Sequence, residues 1–100
     1  LVMSTKNIYE IDFSIEEAKD DIARHQAAGN LKLIVKIDTF LDEIELHPLT
    51  GTGKPERLKG YGDRVVYSRR INGAHRLVYE VIEEEKKVRL LSAWGHYNDK

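Results

Sequence analysis

The sequence contains no cysteine. Disulfides, thiolate zinc sites and a thiol nucleophile are therefore excluded. Proline is scarce, at two residues, glycine stops at seven, and no segment is compositionally biased, so the chain is neither disordered nor fibrous in character. No apolar run approaches the roughly 18–20 residues of a membrane span, and no hydrophobic signal segment opens the chain. These absences make a cytoplasmic protein the expectation. Net charge is also nearly absent, at −1, which at first sight argues against a polyanion as partner.

What is present supports one small core. Apolar residues make up 41% and charged residues 33% of 100 positions, so residues 1–100 are expected to form a single domain. Leu1-Val2 ahead of Met3 reads as a cloning remnant, and residues 1–6 are expected to be flexible or foreign. The charge, moreover, is unevenly distributed. Residues 1–50 hold five Lys/Arg against ten Asp/Glu. Residues 51–76 hold seven (Lys54, Arg57, Lys59, Arg64, Arg69, Arg70 and Arg76) against only Glu56 and Asp63. Phosphate contacts respond to local potential rather than to whole-chain charge, so this basic block suits a nucleic acid. A solvated, charged strand surface is the plain alternative.

Periodicity divides the chain in the same place. Residues 8–13 alternate as a first strand. Ser14-Ile15-Glu16-Glu17 has the form of a capping box, predicting a helix from about Ile15 to Ala28 with Ile15, Ala18, Ile22 and His25 inward. Gly29-Asn30 stops it, and a second helix follows with Leu33, Ile37, Phe40, Leu41 and Ile44 on one stripe, ended by Pro48. From Lys54 the period becomes two. Strands are predicted over Arg57–Lys59, Val65–Ile71, Ala74–Ile82 and Val88–Trp94, with turns at residues 60–63, Asn72-Gly73 and Glu83–Lys86. The fold class is α+β: a strand and a helical hairpin packed on a mainly antiparallel sheet.

Few residues carry chemistry. The histidines (25, 47, 75 and 96) are scattered without metal-ligand spacing, so no metal site and no cofactor is expected. His47 reads as a dipole partner near a helix C-terminus. The acidic residues of the first half are mostly spaced as a solvated helix face. Gly51-Thr52-Gly53-Lys54 is too short for a phosphate-cradling loop. Glu56, Lys59, Arg69, Arg70, Arg76, His96 and Tyr97 remain.

Their arrangement resembles a known family. Pro48, Gly51-Thr52-Gly53-Lys54-Pro55-Glu56-Arg57-Leu58-Lys59, Ser68-Arg69-Arg70-Ile71, His75-Arg76-Leu77-Val78-Tyr79 and His96-Tyr97 occur in the order and spacing of YoeB/Txe-like toxins of the RelE superfamily. The match spans roughly Pro48 to Tyr97, while the helical half is similar only in layout. Departures are the residues before the first strand, Trp94-Gly95 ahead of His96, and the tail Asn98-Asp99-Lys100. The resemblance implies a compact RelE-like fold and cleavage of messenger RNA in the ribosomal A site. It also implies neutralisation by a cognate antitoxin whose extended segment covers the active face. By resemblance Glu56, Arg76, His96 and Tyr97 are the catalytic set, and Lys59 and Arg70 bind phosphate. Lys54 and Arg69 complete the residues expected to meet RNA.

The residue chemistry is coherent on its own terms. RNA cleavage without a metal needs a base for the 2′-hydroxyl, an acid for the 5′-oxygen and cations for the developing negative charge. Glu56 can be the base and His96 the acid. Arg76 and Arg70 present forked donors that match phosphate oxygens, and Tyr97 can stack on a base. Two nearby guanidiniums would weaken Glu56 as a base, so catalysis would lean on substrate positioning. The alternative is a non-catalytic module that binds RNA, the ribosome or an antitoxin. Hairpin register stays open: a two-residue Asn72-Gly73 loop pairs Arg69 with Arg76, and a three-residue loop including Ala74 pairs Arg70 with it.

Overall fold

A computed structural model describes residues 8–95; the expectation for residues 1–6 lies outside the described residues. The elements run β1 (Glu10–Asp12), α1 (Glu16–Ala27), α2 (Leu31–Leu46), β2 (Glu56–Arg57), β3 (Val65–Arg70), β4 (Arg76–Ile82) and β5 (Lys87–Ser92). They build one five-stranded sheet in the order β1-β5-β4-β3-β2. Only β1 is parallel to its neighbour; the other pairings are antiparallel. The fold is α+β, with both helices on one face of the sheet.

The 3.6-residue period places Leu33, Ile37, Phe40 and Ile44 of α2 on one stripe, and all four are buried against Leu77, Tyr79, Val88 and Leu90 of the sheet and Ile71 just after β3. Burying one such side chain contributes roughly 1.5–3 kcal/mol. On the opposite sheet face a smaller cluster, Leu58, Val66 and Val78, is partly covered by Tyr61 and Leu91. Among the described residues no helix is long and apolar enough to cross a membrane.

Three local expectations are corrected. The capping box does not form: α1 begins one residue later, with Ile15 at its N-cap and no side-chain cap. The cause is Asp12, whose carboxylate accepts from the Ser14 amide at 2.9 Å and from Arg89 Nε at 2.8 Å, holding the entry to the helix extended. The strand expected over Arg57–Lys59 is instead Glu56–Arg57. The third correction concerns the acidic face of the first half, because Glu43 is not merely solvated.

Glu43 belongs to the organising contact of the fold. Arg69 is fully buried on the helix side of β3. Its Nε donates to the Tyr79 hydroxyl (3.0 Å), and one terminal nitrogen donates to Glu43 Oε1 (2.7 Å) and to the Thr52 carbonyl (3.2 Å). The other donates to the carbonyls of His47 and Thr50, both at 2.7 Å. Five N–H donors thus meet five acceptors. Tyr79 in turn donates to the Pro48 carbonyl at 2.7 Å, and burial pushes its phenol above the usual range. Thr52 donates to Glu43 through its hydroxyl and its amide, and these bonds, more than Arg69, hold the carboxylate below its usual range.

The loop pays heed to this knot sterically. Gly51 (φ 125°) and Gly53 (φ 82°) adopt conformations that disfavour side chains, and an added Cβ would lie 2.5 Å from Glu43 Oε1 or from the Phe40 ring, respectively.

Arg69→Met should cost about 3 kcal/mol in chemical denaturation, because three carbonyls and the Tyr79 hydroxyl would lose their donor inside the protein, although half-buried Glu43 keeps its bonds from Thr52. Arg69→Lys should restore only part of that, having three donors without the planar fork. Equal stability of Arg69→Met and wild type would refute the central role of this contact.

A second expectation concerns acid. The hydrogen bonds from Arg89 and Ser14 lower the Asp12 pKa to about 2. A depressed folded-state pKa means stability that is present above the unfolded value near ~3.9 and lost as pH falls through the folded one. Asp12→Asn should therefore flatten the stability-against-pH curve between about pH 4 and pH 2. Parallel curves for variant and wild type in thermal melts over that window would contradict it.

Candidate functional site

The site follows from strand register. Glu56 pairs with Ser68 across β2–β3, and Ser68 pairs with Val78 across β3–β4. Successive strand residues point to opposite faces, so Glu56, Ser68 and Val78 form one row on the face away from the helices. Two residues further along that face, Arg70 pairs directly with Arg76. The Glu56 row and the arginine row are separated by about 7 Å along the strands. Glu56 and Arg70 are exposed, and Arg76 is half-buried. Like charges directly opposite one another destabilise a sheet unless an anion lies between them.

The hairpin chooses the three-residue loop. The amides of Ile71 and Asn72 both donate to the His75 carbonyl, at 3.0 and 3.3 Å. The Asn72 side-chain oxygen accepts from the amides of Ala74 (2.8 Å) and His75 (2.9 Å). A type I′ turn at Asn72-Gly73 would need positive φ at both residues, and neither has it. Register is therefore decided by a side chain, and it selects Arg70 as the neighbour of Arg76.

The remaining expected residues separate. Lys54 is exposed, with a left-handed φ of 51°, and follows Gly53, whose carbonyl accepts from the Arg70 amide at 2.7 Å; it lies at the arginine end of β2. Lys59 is exposed beyond Leu58, at the other end of β2. Arg69 is a correction. It was expected to meet RNA, but it points to the helix side and is buried, with all its donors engaged. Glu56, Arg70 and Arg76 come together, with Lys54 beside them. His96 and Tyr97 lie outside the described residues. Among the described residues no group of three or more His, Cys, Asp or Glu side chains is placed to hold a metal ion.

Sequence reasoning placed His25 inward but did not foresee the contacts that secure the last described segment. The Ala93 amide donates to Asp21 Oδ2 at 2.9 Å, and the Ala93 carbonyl lies 2.8 Å from His25 Nε2, which must therefore carry its proton. The Gly95 amide donates to His75 Nδ1 at 2.9 Å, and the Gly95 carbonyl accepts from the Arg76 amide at 3.0 Å. Trp94 stacks on His25 with centroids 4.6 Å apart, while the Arg24 guanidinium sits 3.6 Å from its ring centre. At its last described residue, then, the chain is bonded to the backbone of Arg76. A signal existed: Ala18, Asp21 and His25 share one face of α1, so two polar groups stood on an inward stripe.

A bulge makes this route possible. Val78 pairs with Ser92 but Tyr79 with Leu90, leaving Leu91 extra. Val88 and Leu90 face the helices before the bulge, and Ala93 faces them after it.

Comparison with known proteins gives this geometry a context. The family model described as YoeB-like toxin of bacterial type II toxin-antitoxin system matches residues 14–97. The toxin YoeB of Mycobacterium bovis is 40% identical over 70 residues, covering 70% of this chain and 79% of that toxin. The YoeB dimer structure from Staphylococcus aureus is similar at 38% identity with a TM-score of 0.75, over 89% of this chain and 98% of that one. The heterotetrameric YoeB–YefM toxin–antitoxin complex from the same organism matches over the same shares, with a TM-score of 0.71. An archaeal RelE–RelB complex from Pyrococcus horikoshii, 20% identical with a TM-score of 0.70 over 91% of this chain and 98% of that one, shares the fold. This chain belongs to the YoeB-like toxins of bacterial type II toxin–antitoxin systems.

Proposed function

We propose that the chain is a metal-independent, ribosome-dependent endoribonuclease of the cytoplasm that cuts messenger RNA in the ribosomal A site. The observation that carries this reading is the row of Glu56 lying one step from the opposed Arg70–Arg76 pair on the face free of helices. A phosphodiester between the arginines accepts hydrogen bonds from their forked donors and brings the adjacent 2′-hydroxyl toward the carboxylate. Glu56 takes the 2′-hydroxyl proton, the 2′-oxygen bonds to phosphorus, and the bond from phosphorus to the 5′-oxygen breaks. His96 supplies the proton to that leaving oxygen, and Tyr97 stacks on a neighbouring base. Lys54 adds positive potential at the arginine end, and Lys59 extends it along β2. No cofactor takes part.

Family membership supports a second element of the proposal. The Staphylococcus aureus YoeB is found in a complex with YefM. A cognate antitoxin of this chain would cover the same basic face with a carboxylate-bearing segment, inhibiting by occupying the arginines.

Cleavage of a defined message on programmed ribosomes should persist in a chelator at concentrations that leave ribosomes intact. It should leave a 2′,3′-cyclic phosphate or 3′-phosphate upstream and a 5′-hydroxyl downstream. Ends bearing a 5′-phosphate would make water the nucleophile and remove Glu56 from its role.

The same assay separates the residues. Glu56→Gln, Arg76→Ala and His96→Gln should each slow cleavage at least ~10²-fold, with losses far from additive when combined. Antitoxin affinity should fall in Arg76→Ala and hold or rise in Glu56→Gln. Near wild-type rates for folded Glu56→Gln and His96→Gln would make the basic face a binding surface rather than an active site.

A further inference from the structure

Ser68 is an anomaly. It is fully buried, and its hydroxyl is the one buried side-chain polar atom without a hydrogen-bond partner among the described residues. Leaving such a group unpaired costs free energy, whereas alanine in its place would not. Packing offers no reason for a hydroxyl here, since Val66 and Val78 beside it belong to the small apolar cluster with Leu58.

Its position supplies a reason. Ser68 stands directly between Glu56 and Val78 in the catalytic row and two residues from Arg70 on the same face. Of the side chains directly opposite it only Glu56 offers a carboxylate, and Glu80, diagonal to it on β4, is held by Arg64. Ser68 cannot move to meet a ligand, because its hydroxyl is enclosed. Glu56 is exposed and has three side-chain torsions, so it can move.

Building on the ribonuclease reading above, we propose that Ser68 is a positioning residue that donates its hydrogen bond to the Glu56 carboxylate once an RNA phosphate occupies the Arg70–Arg76 pair. Without RNA the carboxylate stays in water. A bound phosphate removes that water and repels the carboxylate from the arginine row toward Ser68. One carboxylate oxygen then takes the serine proton donor, and the other faces the 2′-hydroxyl. The hydroxyl gains its partner only in the bound state, so the bond acts on turnover rather than on folding.

The test is single-turnover ribosomal cleavage by Ser68→Ala and by the similarly sized, weakly donating Ser68→Cys, with thermal melting of each. Both should cut the rate about tenfold, the usual scale for a hydrogen bond to a charged group, and leave half-saturation within about twofold. The acidic limb of the pH–rate profile should move to higher pH, since a bond to the ionised form favours it. Melting temperature should hold or rise in Ser68→Ala. Added to Glu56→Gln, Ser68→Ala should cost less than about twofold more, because the two changes act through one contact. An unchanged rate with an unmoved limb overturns the inference while the ribonuclease reading stands. So does a rate loss that tracks a lowered melting temperature, or an undiminished tenfold loss in the Glu56→Gln background. Absence of cleavage by wild type overturns the ribonuclease reading and this inference with it.

Discussion

A buried guanidinium is stable only where every N–H finds an acceptor, and the chain between α2 and β3 is shaped by that demand. Arg69 collects Glu43 from α2, three carbonyls from residues 47–52 and the Tyr79 hydroxyl from β4. To present those carbonyls the loop must wind around β3, which requires the left-handed glycines at 51 and 53. The loop then delivers Gly53 to the Arg70 amide and Glu56 to Ser68. A buried ion pair is weak evidence of net stability, because desolvation offsets much of the attraction. Its consequence here is geometric: it ties the helical half to the sheet and sets where β2 lies.

Arg69 and Arg70 are neighbours with identical side chains and opposite surroundings. Strand alternation sends one inward, where carboxylate and carbonyl oxygens surround it, and the other outward to oppose Arg76. The inner arginine stabilises the scaffold. The outer pair sets two guanidiniums opposite one another on a surface braced from behind. Preorganised positive charge of this kind does not have to rearrange when an anion arrives.

Much of this was legible in the residues. The helical stripe of α2 and the shift to period two gave the α+β class, and the basic block marked a charged stretch within which resemblance to the family singled out Glu56, Arg70 and Arg76. Even the burial of Arg69 was encoded, since it shares strand parity with Tyr67 and Ile71, both apolar, but adjacent arginines in a basic block look alike until the inward face is assigned. Other features depended on contacts that local pattern cannot rank. The capping box lost to Asp12, which also engages Arg89 from the far end of the chain. The Asn72-Gly73 turn lost to the Asn72 side chain, which captures two amides of the loop. The bonds from Asp21 and His25 to Ala93 join residues about seventy positions apart. The Leu91 bulge inverts the alternation that would otherwise place Ala93 on the wrong face.

Whole-chain charge is a poor guide to this surface, and the structure supplies the reason. Asp12, Asp21 and Glu43, all from the acidic half, are turned against the basic half: Asp12 on Arg89, Asp21 on the Ala93 amide, Glu43 on Arg69. They neutralise or anchor groups of the sheet rather than forming an exposed acidic patch of their own. Arg64 is likewise matched by Glu80 on the open face, at 3.0 Å. The one fully buried Lys or Arg among the described residues, Arg69, is compensated from the helix side, so no acidic side chain has to cross to the opposite face to do it. What stays uncompensated there is local: Arg70 forms no ion pair among the described residues, and it stands opposite Arg76. A chain of nearly zero net charge can therefore hold a focused positive site, because the potential at that site is set by the charges near it rather than by the whole-chain sum.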